Sequence, residues 1–222
     1  MKTWLGILTV IGGLALAGSA CRSNPLAEGQ REMAAGNYAK AVEVFKAVRD
    51  QRPDDPRVHS ELGLAYAKQD KSDEAMEAYK KAIQLDPAFP EAHFNLGTLY
   101  LRLGGYPEAE AELNLAVKYR PDYVKAYNNL GLGLMSMGKF DEAEESFKKA
   151  IELDPNNSVY RENLQYCQDA AKSTREHLKG LAEEKRKEEE KKSGGTKPAG
   201  EAKPTGAAPP AAPEKAAQPS SP

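Results

Sequence analysis

Cysteine is nearly absent from this 222-residue chain, occurring only as Cys21 and Cys167, so no disulfide framework holds the fold. Histidine is almost as scarce: His59, His93 and His177. Neither His59 nor His93 has a cysteine or second histidine nearby in sequence, so no metal-ligand spacing arises there. His59 and His93 share a recurring slot that is normally a packing position, and His177 lies in a charged, solvated stretch. Neither sign of charge dominates, with 31 Lys and Arg against 33 Asp and Glu. Without a basic stripe interleaved with aromatics, nucleic-acid binding is excluded. Gly131-Leu132-Gly133 mimics a phosphate loop, but no strand precedes it and the rest of the fingerprint is missing. No nucleophile has an identifiable base partner. The expectation is a non-enzyme with no catalytic residues, cofactor, metal or small-molecule substrate.

What the chain does have is repetition at a step of 34 residues. Gly63, Gly97 and Gly131 share a slot, as do Ala75, Ala109 and Ala143, then Ala82, Ala116 and Ala150, then Pro87, Pro121 and Pro155. A weaker copy precedes them, with Gly29, Ala41, Phe45 and Pro53 in register but Val48 in the second alanine slot. Self-similarity at a fixed period means stacked units that cannot bury their apolar faces alone. Within one copy, Leu62, Ala65 and Tyr66, then Ala75, Ala78, Tyr79, Ala82 and Ile83, recur at helical spacing. The polar break Gln69-Asp70-Lys71-Ser72 between them suits a turn between antiparallel helices. A glycine inside a helix costs about 1 kcal/mol relative to alanine, so its recurrence predicts close backbone approach between paired helices. The proline ends the second helix, because it lacks an amide hydrogen and restricts the residue before it. Two departures carry their own expectations. Ser72 replaces the aromatic seen as Tyr38, Tyr106 and Phe140, which predicts a looser second turn; Gly133 predicts easier fraying in the fourth repeat.

These slots resemble the tetratricopeptide repeat (TPR) family over roughly residues 22–171. The resemblance implies an all-α, right-handed superhelical solenoid of antiparallel helix pairs. The expected organisation is a signal peptide at 1–20, a lipidated N-terminus with a degenerate repeat at 21–55, and repeats at 56–89, 90–123 and 124–157. A capping helix at 158–171, a charged helical extension at 172–192 and a disordered Ala/Pro/Lys tail at 193–222 complete it. Gln165 and Gln168 fall where core residues stood in earlier copies, as a solvated terminal helix requires. Glu183–Lys187 and Glu188–Lys192 are spaced to support an exposed helix. The tail is too poor in apolar bulk to pack; extended, its thirty residues span on the order of 90 Å.

The N-terminus addresses location. Lys2, an apolar run from Trp4 to Ala17 and the small residues Gly18-Ser19-Ala20 describe a secretory signal peptide; an uncleaved anchor is the alternative. Cys21 after these residues resembles the bacterial lipobox, although Gly18 stands where that motif usually carries Leu, Val or Ile. The resemblance implies diacylation of Cys21, and Arg22 after it implies sorting to the outer membrane, facing the periplasm. Several acyl chains, at about 0.8 kcal/mol per buried methylene, anchor a protein stably. Ordinary cleavage leaving an unmodified Cys21 is the alternative. Cys167 is expected to be a buried structural thiol, a Cys21–Cys167 disulfide being the minor reading. Asn24-Pro25 reads as a helix opening close to this anchor.

In TPR proteins the first helix of each repeat lines a concave groove. Carried over, repeat two offers Arg57, Ser60, Glu61, Leu64, Ala67 and Lys68; repeat three offers Glu91, Phe94, Asn95, Thr98, Leu101 and Arg102. Repeat four offers Lys125, Asn128, Asn129, Leu132, Met135 and Ser136. Within this set the peptide-binding residues are expected to be Leu64, Lys68, Phe94, Asn95, Thr98, Leu101, Asn128, Asn129, Leu132 and Met135. The amides can bond a peptide backbone, and the apolar residues can hold side chains; packing of Phe94 and Leu101 against neighbouring helices is the alternative. The basic clamp of chaperone-binding members is incomplete: Asn95 and Lys125 match it, but Ser60, Leu64 and Asn129 do not. The resemblance therefore implies an envelope lipoprotein scaffold with a protein or peptide partner, similar to TPR lipoproteins that act as pilotins for type IV pilus secretins. A regulator of peptidoglycan synthesis acting through the tail, and a soluble co-chaperone with an unprocessed N-terminus, are the alternatives.

Overall fold

A computed structural model describes residues 24–193, and every described element is an α-helix. Four helix pairs come first: α1 (Pro25–Ala34) with α2 (Tyr38–Gln51), α3 (Pro56–Ala67) with α4 (Ser72–Leu85), α5 (Pro90–Leu103) with α6 (Tyr106–Tyr119), and α7 (Val124–Ser136) with α8 (Phe140–Leu153). A ninth helix, α9, runs from Ser158 to Ser193. Residues up to Thr174 form one unit and those from Arg175 another, so α9 crosses the boundary. The signal segment, Cys21 and the tail beyond 193 lie outside the described residues.

Local chemistry sets each helix end. Asn24 Oδ1 accepts from the Leu26 amide at 3.2 Å with Pro25 in the first turn, and Asp55 Oδ1 accepts from the Arg57 amide at 3.1 Å ahead of Pro56. Two of the second helices carry paired acidic residues in their first turns, Asp73 and Glu74 in α4 and Asp141 and Glu142 in α8, which favour the helix dipole. All four second helices stop two residues before Pro53, Pro87, Pro121 and Pro155. The intervening residue is non-helical, as at Asp86 (φ −138°, ψ 96°), because the proline ring disfavours helical backbone before it.

The turn between paired helices needs one left-handed residue. Gly36, Gly104 and Gly138 fill it at φ +78°, +79° and +74°; in repeat two the same slot holds Asp70 at φ +58°. Where the other copies place an aromatic beside this turn, Ser72 is reached by polar groups instead. Arg102 Nη1 donates to the Ala67 carbonyl at 3.0 Å, Nη2 reaches Ser72 Oγ at 3.4 Å, and the Gln69 amide donates to the Tyr38 carbonyl at 3.1 Å. Polar links from both neighbouring repeats replace the ring.

The recurring helix glycine also proves more specific than backbone approach. A Cβ at Gly63 would lie 2.7 Å from the Tyr79 ring, one at Gly97 2.7 Å from Leu113 Cγ, and one at Gly131 2.7 Å from the Phe147 ring. Gly29 faces Phe45 in the same way. The space is thus taken by the large side chain sixteen positions later, with the Ala75 carbonyl (3.1 Å) and Ala109 carbonyl (3.3 Å) next in two repeats. Phe45, Tyr79, Leu113 and Phe147 are fully buried there, and Ala41, Ala75, Ala109 and Ala143 are closed off beside them. Gly133 does not interrupt α7. It is buried, and Leu101 Cδ2 stands 3.0 Å from where its Cβ would be.

Three apolar clusters run along the stack: repeats one and two around Phe45 and Leu62, the next junction around Tyr79 and Leu96, and repeats three and four around Leu113 and Phe147. Cys167 joins the last, its burial pushing the thiol pKa up, and its Sγ lies 3.5 Å from the Phe140 carbonyl. Burial along α9 ends at Ala171. From Lys172 to Lys192 every residue is exposed, including Leu178 (58%) and Leu181 (42%), and Arg186 pairs with Glu190 at 3.5 Å. Of the two glutamines, Gln165 is exposed and bonds Asp169 at 3.1 Å, whereas Gln168 is half-buried and bonds Glu144 of α8 at 3.1 Å.

Candidate functional site

The first helices meet along one side of the stack, α1 with α3, α3 with α5 and α5 with α7. Among the described residues α2, α4, α6 and α8 do not meet one another. A stack closer-packed on one side than the other curves toward that side, so the first helices line the inner face. A ladder of polar side chains crosses it: Gln30 Nε2 donates to Glu61 Oε1 (2.6 Å), Asn95 Nδ2 to Ser60 Oγ (3.3 Å), Asn129 Nδ2 to Thr98 Oγ1 (3.0 Å) and Asn163 Nδ2 to Asn128 Oδ1 (2.8 Å). Asn128 also donates to Asn129 at 3.3 Å. Each rung contributes on the order of 1 kcal/mol and fixes the register of adjacent repeats.

Two adjoining clefts open beside the ladder. The larger, about 440 Å³, has apolar walls from Leu26, Leu64, Phe89 and Tyr123 and polar ones from Ser60, Asn95, Glu61 and Glu91. The smaller, about 250 Å³, shares Leu64 and Asn95 and adds Thr98, Leu99, Tyr79, Lys68 and Arg102. Charges at the larger cleft are mostly committed. Arg57 makes a two-point contact with Asp55 (3.0 and 2.8 Å), holding that carboxyl below its usual range. Arg120 pairs with Glu91 and lies 4.8 Å from the centre of the Tyr123 ring, and burial pushes the Tyr123 phenol up to about 12.

Of the residues expected to bind peptide, Leu64, Lys68, Asn95 and Thr98 line the clefts. Phe94, Leu101, Leu132 and Met135 are half-buried against the repeat three–four core, Phe94 lying 4.7 Å from Tyr123 ring to ring. Asn128 and Asn129 belong to the ladder, with their oxygens and one N–H each already engaged. Leu26, Gln30, Phe89 and Tyr123 were missed. Leu26 and Gln30 fall one repeat before Ser60 and Leu64, so the period itself carried their signal. Phe89 and Tyr123 occupy the slot of Asp55, the residue before the first helix. Neither makes a side-chain cap, and both give their rings to the cleft wall instead. Among the described residues no helix is long and apolar enough to cross a membrane, and no cluster of His, Cys, Asp and Glu gathers to hold a metal.

Family models place the same periodicity in a known class. One described as TPR repeat matches residues 29–70 and 68–104, and two described as Tetratricopeptide repeat match 90–123 and 124–157, together more than half the chain. The chain belongs to the tetratricopeptide repeat family. Among solved structures, the MamA protein is 25% identical with a TM-score of 0.60, covering 76% of this chain and 92% of that one. MamA from Desulfovibrio magneticus RS-1 gives 25% identity and 0.60, over 73% and 94%. The first TPR domain of human RPAP3 is 34% identical with a TM-score of 0.53, over 56% and 98%. The first TPR of Spaghetti (RPAP3), bound to the HSP90 peptide SRMEEVD, is 34% identical with 0.51, over 52% and 92%. No curated protein matches this TPR chain significantly.

Proposed function

We propose that this TPR chain is a non-enzymatic scaffold whose inner face binds a segment of another protein through the cleft of Leu26, Leu64, Phe89 and Tyr123. The observation that carries the reading is that cleft: an apolar floor of about 440 Å³ rimmed by hydrogen-bonding groups at the junction of three repeats. Apolar anchors in such a cleft supply most of a peptide's binding energy, and the polar rim fixes orientation. The segment differs from the HSP90 peptide SRMEEVD of the RPAP3 complex. Ser60 and Leu64 offer no cation, Ser60 is taken by Asn95, and Asn129 donates to Thr98. The scaffold acts at the bacterial envelope, held at the outer membrane by acyl chains on Cys21, and serves an assembly such as a pilus secretin. Supporting this part are the apolar Trp4–Ala17 run, the small residues before Cys21 and the early start of α1.

The test has two arms. Mass spectrometry of the protein from membranes is expected to find an acylated Cys21 as the first residue; an unmodified N-terminus removes the anchor and leaves the groove untouched. Capture from detergent-solubilised envelopes on Leu64→Arg plus Asn95→Ala is expected to lose a partner that wild type retains. The peptide SRMEEVD, titrated calorimetrically, is expected to give no saturable heat, and tight binding would restore the chaperone reading.

A further inference from the structure

His93 is 3% exposed, and both of its ring nitrogens face acceptors. Nε2 lies 3.0 Å from the Pro87 carbonyl, and Nδ1 lies 2.7 Å from Glu112 Oε2. A carbonyl can only accept, so Nε2 must carry a hydrogen. The short Nδ1···Oε2 contact then needs a second proton between imidazole and carboxylate. Whichever atom holds it, the pair keeps one proton more than a neutral ring beside a carboxylate.

We propose that His93 is a pH-sensitive staple, a doubly protonated ring tying α5 at once to α6 and to the turn that joins repeats two and three. The groups facing it are Glu112 and Tyr119 from α6, the latter 5.6 Å ring to ring, and Asp86 with the Pro87 carbonyl from the α4–α5 turn. Lys118 lies 5.5 Å from the Tyr119 ring centre. Burial opposes the charge and is the largest single influence, but Glu112, the Pro87 carbonyl and Asp86 together outweigh it and raise the His93 pKa. Losing the proton leaves a lone pair against a carboxylate oxygen, and Glu112, at the solvent edge, turns away to water. The turn it holds also carries Phe89, a wall of the larger cleft.

The other repeats act as built-in controls. His59 makes the same contact to the Pro53 carbonyl at 2.7 Å, but Ala78 stands in the Glu112 slot. Repeat four has Tyr127 and Ser146 in the two slots. The staple is therefore peculiar to repeat three. A group whose proton is held more tightly in the folded state adds stability below the ordinary imidazole value of about 6.5, and that contribution is lost as pH rises through the folded value.

The experiment is nitrogen-15 NMR of the histidine rings in the full chain across pH 5 to 9, with urea midpoints measured in parallel. His93 is expected to keep imidazolium shifts on both nitrogens above pH 6.5 and to titrate lower in Glu112→Gln. The urea midpoint of Glu112→Gln should fall short of wild type at pH 6 and approach it at pH 9. A neutral His93 tautomer at pH 6.5, or a Glu112→Gln deficit equal at both pH values, overturns the proposal. Because Glu112→Gln can also change packing, Ala78→Glu supplies a constructive arm. The new carboxylate enters the cleft of about 240 Å³ that His59 shares with Arg49, Glu74 and Glu77, so the ring signals of His59 should shift when it is installed. An unmoved His59 counts against the staple.

Discussion

Repeats two and three share one backbone plan and spend it differently. Repeat two caps its first helix with Asp55, turns through Asp70 in a left-handed conformation, and packs Tyr79 over Gly63. Repeat three puts Phe89 where the cap stood, turns through Gly104, packs Leu113 over Gly97, and adds Glu112 opposite its histidine. Both send side chains into the clefts, but one keeps a polar cap before its first helix where the other has an aromatic wall. A period fixes backbone slots and leaves the side chain in each slot free to differ between copies.

The comparison can be broken by substitution, beginning with the largest effect. Tyr79→Ala and Leu113→Ala each empty a fully buried space at the same slot of their repeat; losses of about 3–5 and about 2–5 kcal/mol are expected, read from urea unfolding followed by circular dichroism. Equal, small losses would show that the junction repacks freely. Gly63→Ala comes next. Its new methyl meets a rigid ring and the Ala75 carbonyl, so about 1–3 kcal/mol should be lost, and Gly97→Ala should lose a similar amount because Cγ of the fully buried Leu113 stands 2.7 Å from the new methyl. A gain at Gly63, as helix propensity alone dictates, would remove the ring-packing explanation. The turn exchange follows: Asp70→Gly should raise stability by about 1 kcal/mol and Gly104→Asp should lower it by a similar amount. At the small end, Leu178→Gln in the exposed part of α9 should stay within about 0.5 kcal/mol.

Much of this was legible in the sequence, for a physical reason. Glycine, alanine and proline recur where a large side chain, a closed helix interface and a helix stop are obligatory, and such local demands leave marks at a fixed period. The partner of each glycine was itself in a repeating slot, as Phe45, Tyr79, Leu113 and Phe147, but only the fold shows that a side chain fills the gap. The two clefts were partly legible: Leu64 and Asn95 line both, Lys68 and Thr98 the smaller, and Leu26 of the larger could have been found by extending the register back one repeat. Phe89 and Tyr123 were hidden because a residue before a helix reads as a cap, not as a wall. The engagement of Asn128 and Asn129 was hidden too, since their partners come from neighbouring repeats across the inner face. The Arg102 links that hold the Ser72 turn have the same origin.

Site-specific photocrosslinking in living cells tests the central claim most directly, with a benzophenone amino acid placed at Leu64 on the inner face or at the exposed Lys80 on α4. A discrete adduct with another polypeptide from Leu64, absent from Lys80, is the expected result. Adducts from Lys80 alone, or the same adducts from both positions, would contradict an inner-face binding groove.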